Sequence, residues 1–119
     1  MRQVIGVMVA LACVAAHAQD TVVSGDEVKA RWAGKKLFVR TGTGQLADFA
    51  LMADGSATIA VGNFSDTGTW RPWEKGYCVS WHKIRNGSEA CLTVVRRGSD
   101  IAILNPDGST SGQVLRGVD

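Results

Sequence analysis

The chain has no apolar run long enough to span a membrane, almost no net charge, and few of the residues that build catalytic or metal sites. Its longest apolar stretch, Val4 to Ala15, falls short of the roughly 20 residues a helix needs to cross the hydrocarbon core, and no positive charge follows to stop transfer. Thirteen Lys and Arg stand against eleven Asp and Glu, a net charge of +2. Loss of Arg2 with the leader described below leaves twelve against eleven. Neither balance supplies the electrostatic drive that a phosphate backbone demands, so nucleic acid is not an expected partner. The three cysteines show none of the C-x2-C or His spacings of zinc sites, and no metal or cofactor is expected. The loop Thr41-Gly42-Thr43-Gly44 lacks the Gly-Lys-Ser/Thr ending and the following helix of a phosphate-binding loop, and reads as a hairpin connection.

What is present begins with a leader. Arg2 supplies positive charge, Val4 to Ala15 the apolar segment, and Ala16-His17-Ala18 a small-x-small site before Gln19. Residues 1–18 therefore read as a signal peptide, with the mature protein in the periplasm or secreted. A minor alternative is a lipoprotein anchored through Cys13, but the leucine of a lipobox belongs three residues before the cysteine, where Ala10 stands.

Cleavage carries Cys13 away and leaves Cys78 and Cys91, an even number suited to a disulfide in an oxidising compartment. Such a bridge, closing about fifteen residues, contributes roughly 3 kcal/mol on the chain-entropy account. The remaining residues 19–119 suffice for one domain with one core.

Within that domain the start carries the only helical pattern, over residues 24–33. Ser24 can cap, Glu27 follows three residues later, and Val28 with Trp32 recurs at i, i+4, which makes Trp32 the side chain that docks the helix on a sheet. From residue 35 to 117 the period becomes two, with turn residues about every ten positions. Strands are expected over Lys36–Thr41, Leu46–Ala53, Ala57–Gly62, Gly68–Trp73, Tyr77–Lys83, Ala90–Arg96, Ile101–Leu104 and Gln113–Arg116. Each buries one face, as in Leu37 with Val39 or Phe49 with Leu51. The fold class is thus all-β with one short N-terminal helix: about eight antiparallel strands in a meander that closes as a small barrel or folds over as a β-sandwich, since an open sheet of that length leaves aggregation-prone edges.

Two local signals conflict. A two-residue turn at Asn86-Gly87 would place Cys78 opposite Val95, about 13 Å along the strand from Cys91 and beyond disulfide reach. If the bridge forms, Cys78 instead faces Cys91 and His82–Gly87 becomes a longer connection.

The order Gly68-Thr69-Trp70, Tyr77-Cys78-Val79-Ser80-Trp81, Ala90-Cys91-Leu92-Thr93-Val94 and Asp107-Gly108-Ser109 resembles a domain-of-unknown-function family of small exported proteobacterial β proteins, over roughly Leu37 to Gly117. Leu92 departs from the tyrosine common in that pattern. The resemblance implies fold and export and carries no catalytic residue across.

For chemistry, His82 is the one histidine beyond the leader, and no G-x-S-x-G elbow accompanies it. Asp48, Asp54, Asp66, Glu74 and Glu89 show no spacing that pairs two carboxylates, and read as charges beside turns. In Trp70-Arg71-Pro72-Trp73 the two tryptophans point to opposite faces of a strand. Trp70, Arg71, Trp73 and Trp81 are accordingly the candidate binding residues, set against core packing beside the bridge. The expected function is a non-enzymatic exported binding domain, for a small apolar ligand inside a barrel or for a protein or cell-wall partner, such as a cell-wall-degrading enzyme that it inhibits. The alternatives are a structural envelope-associated interaction protein and a small hydrolase using His82.

Overall fold

The computed structural model describes residues 20–117; the expected leader, with Cys13 and the expected cleavage site, lies outside the described residues. The elements run β1 (Thr21–Val22), α1 (Gly25–Arg31), β2 (Lys36–Thr41), β3 (Leu46–Leu51), β4 (Ser56–Val61), β5 (Phe64–Trp73), β6 (Gly76–Trp81), a 3-10 turn (Ile84–Gly87), β7 (Ala90–Arg97), β8 (Asp100–Leu104) and β9 (Thr110–Arg116). Strands β2 to β9 pair each with the next, and β9 returns to pair with β2. The eight-stranded antiparallel meander is therefore a closed barrel, which leaves no free edge along its wall.

Period two does what it should. Leu37 and Val39, Phe49 and Leu51, Tyr77 and Val79, and Val94 and Ile103 face inward and form the core. The strand β5 is longer than its sequence pattern suggests, because Gly62, at φ 58°, and Asn63 close a tight turn that lets the ladder begin at Val61 and Phe64. Likewise β9 begins at Thr110, ahead of the apolar residues that mark it.

The helix α1 forms where its caps predict. The Ser24 Oγ accepts from the Glu27 amide at 3.2 Å, acidic Asp26 and Glu27 sit in the first turn, and Lys29 and Arg31 in the last, each sign placed to suit the helix dipole. Val28 and Trp32, one turn apart, are both buried, and Trp32 lies 6.2 Å from the Tyr77 ring between centroids. The helix thereby closes one end of the barrel, here called the lower end. It lies so close to β5 that a Cβ on Gly25 would fall on the Trp73 backbone, a contact only glycine permits.

The two-residue β1 carries no sequence signal. It pairs Thr21 with Arg96 and Val22 with Val95, on the same edge of β7 that β6 occupies from Ala90 to Thr93. Where β6 ends, β1 takes over the ladder, and the Val23 amide continues it to the Val94 carbonyl at 2.8 Å.

The conflict over Asn86-Gly87 resolves in favour of the bridge. Cys78 stands directly opposite Cys91 in the β6–β7 register, with the two Sγ atoms at bonding distance. Residues 82–89 form the longer connection.

Candidate functional site

The lower and upper halves of the barrel differ in the size of their inward residues. Below, Trp32, Leu37, Leu51 and Val94 fill the interior. Above, β3 contributes Ala47 and β9 contributes Gly112, and the space they leave is a cavity of about 200 Å³. Its walls are Val39, Phe49, Ile59, Trp81, Leu92 and Ile103, with Ile84 from the 82–89 connection roofing it. Half-buried Thr41 and Ser111 and exposed Arg85 form the rim.

Tyr77 reaches this cavity from β6. It is 2% exposed, yet its hydroxyl has no hydrogen-bond partner among the described residues. A buried tyrosine usually finds one, and a buried polar group without a partner calls for an explanation. Burial pushes the Tyr77 phenol well above its ordinary value, with the Arg85 charge pulling the other way, so at neutral pH it stays a hydroxyl with a proton to donate.

Arg85 and Asn86 both adopt left-handed backbone, at φ 55° and 52°. For Asn that is familiar, but for a long side chain such as Arg it is strained by about 1–3 kcal/mol. Strain of this kind persists only where the surroundings over-determine it, and here they do. The inward Asp66 carboxylate of β5, 4% exposed, accepts from the amides of Thr67 (2.8 Å), Lys83 (2.9 Å) and Ile84 (3.0 Å). Burial works to raise its pKa, but those three amides and the Lys83 charge outweigh it and hold the carboxyl below its usual value. Asp66 thus anchors the connection that carries Ile84 and Arg85 over the mouth.

The four residues singled out from the sequence do not share a surface. Trp70 is buried, its indole Nε1 donating to the Met52 carbonyl at 2.8 Å. Trp81 is also buried, packs 6.3 Å from Phe49 between ring centroids, and is the only one of the four that lines the cavity. Arg71 is on the outer wall, bonded to Glu89 at 3.0 Å beside the Cys78–Cys91 bridge. Half-buried Trp73 shares that outer face, beside Gly25 and the start of α1.

Several other titratable residues have structural partners. Asp54 and Asp107 accept from Ser56 and Ser109 two residues on, which lowers both, and Glu89 is lowered by Arg71. Exposed His82 shares a hydrogen bond between its Nδ1 and the Thr67 hydroxyl at 3.0 Å. Among the described residues no serine or carboxylate bonds to it, so the pair lacks the third group that orients an activating histidine. Cys78, Glu89 and Cys91 come within 4.8 Å of one another, but bridged sulfurs have no thiolate to offer a metal.

Sequence reasoning passed over Tyr77, Arg85 and Ala47. Tyr77 is the chain's one tyrosine and sits at an inward position of a strand, which was the available signal. No local pattern marks a left-handed arginine. Comparison with protein-family models, with curated proteins and with solved structures finds no match to this chain.

Proposed function

We propose that this chain is an exported, non-enzymatic binding domain that holds one small apolar ligand in the upper barrel cavity. The observation that carries the reading is a cavity of about 200 Å³ with apolar walls, reached from one end of the barrel only, since α1 and Trp32 close the other. Size sets the class of ligand. An apolar cavity of ~150 Å³ suffices for benzene, while drug-sized ligands use ~300 Å³ or more. A ligand body of one ring or a short branched chain fits; a long acyl chain or a sterol does not. Export rests on the three-part leader, and a stapled β domain accords with it.

The test is titration of the purified, oxidised protein with toluene and with indole, followed by ligand-observed NMR. Saturable binding is expected, abolished by Ala47→Leu, which fills the cavity, and unchanged by Trp73→Ala on the outer wall. Binding that survives Ala47→Leu but disappears in Trp73→Ala would move the site to the outer face and overturn the reading.

A further inference from the structure

We infer that the ligand is a small monocarboxylate, its body the size of one aromatic ring or a short branched alkyl chain, seated with the carboxylate toward the Tyr77 hydroxyl and the Arg85 guanidinium. The inference rests on the binding reading above and adds the chemistry of the ligand's polar end.

Three observations converge. First, the Tyr77 hydroxyl is a buried donor on an otherwise apolar wall, with no acceptor among the described residues. A hydrocarbon ligand would leave it unmet, whereas an acceptor oxygen would satisfy it. Second, Arg85 stands at the rim of the same cavity with a single bond, from its Nη2 to the neutral Asn105 Oδ1 at 3.2 Å. Arg71, Arg96 and Arg97 each meet a carboxylate of the protein. Arg85 meets none among the described residues, and most of its planar donor fork, whose geometry matches a carboxylate, is left to other partners. Third, no Asp or Glu lines the cavity. Asp66, the one buried carboxylate among the described residues, is committed to three backbone amides.

The sign and number of charges follow. Two donors, one of them cationic, with no acidic wall disfavour an amine. A single guanidinium with one phenol suits one negative charge rather than a phosphate dianion, which draws on more cationic donors. The left-handed backbone at Arg85 fits the same picture, since unfavourable conformations of this kind cluster where a side chain must be held toward a ligand.

The experiment compares phenylacetate with toluene, binding each to the full chain expressed and purified with its disulfide intact, in low-salt buffer at neutral pH. Phenylacetate is expected to bind about tenfold tighter or more, as a charge-assisted hydrogen bond implies. Arg85→Gln is expected to remove that advantage while toluene binding stays, and Tyr77→Phe to reduce it severalfold with the protein still folded by circular dichroism. Equal binding of both probes, or an advantage that survives Arg85→Gln, overturns the carboxylate inference and leaves the apolar-ligand reading standing. If neither probe binds, both readings fall.

Discussion

The Asp66 carboxylate accepts a hydrogen bond from the Ile84 amide at 3.0 Å, so that an inward-facing side chain of β5 carries the connection roofing the barrel. Asp66 was legible in the sequence only as a charge near a turn. In the fold it ties residues seventeen and eighteen positions away, Lys83 and Ile84, to the mouth of the cavity.

This anchor sets an acid dependence. A carboxyl held below its unfolded value binds its proton more readily in the unfolded chain, so it stabilises the fold above the unfolded pKa, and that contribution is lost as pH falls through the folded value. Asp66, Asp54, Glu89 and Asp107 are all lowered, and all act in the same sense. The melting temperature is expected to hold between about pH 7 and pH 5 and to drop below about pH 4. Asp66→Asn should lower it at neutral pH and flatten the acid slope; an unaltered slope would mean that Asp66 is not part of it.

Reduction of the Cys78–Cys91 bridge frees a loop of thirteen residues' separation between β6 and β7. Urea unfolding of the reduced protein, or of the Cys78→Ala, Cys91→Ala pair, is expected to show about 3 kcal/mol less stability than the oxidised form. Intact mass should read two hydrogens below the reduced chain and begin at Gln19. A mass that starts at a lipidated Cys13 would refute the predicted cleavage.

Arg85→Gly separates stability from binding. The substitution relieves the left-handed strain, about 1–3 kcal/mol, while freeing the unfolded chain by about 0.4–1 kcal/mol. Relief of strain outweighs the added freedom of the unfolded chain, and a net gain of about 1 kcal/mol should raise the melting temperature by about 4–8 °C in a domain of this size. Carboxylate binding should fall at the same time. A variant that melts lower would show that the guanidinium and its Asn105 contact stabilise the connection more than the backbone opposes it.

The sequence by itself determined the helix and the eight barrel strands with their local rules, though not the two-residue β1. Caps at Ser24 and Glu27 placed the helix, the i, i+4 pair Val28 and Trp32 chose its buried face, and period two chose the inward face of each strand. It also showed, through the strand rise, that the bridge and the Asn86-Gly87 turn exclude each other, and the β6–β7 register then decided between them. These are short-range facts, set by neighbours in the chain. Closure as a barrel was not among them, because periodicity says which residues share a face and not whether β2 meets β9; that pairing joins Val39 to Val114, far apart in sequence. Nor was the cavity, where small Ala47 and Gly112, from strands distant in the chain, line one space with Tyr77 and Trp81. Trp70, Arg71, Trp73 and Trp81 show the same division. Their alternation was legible, but only the closed wall decided that inward meant core and cavity, and outward meant an ion pair over a disulfide.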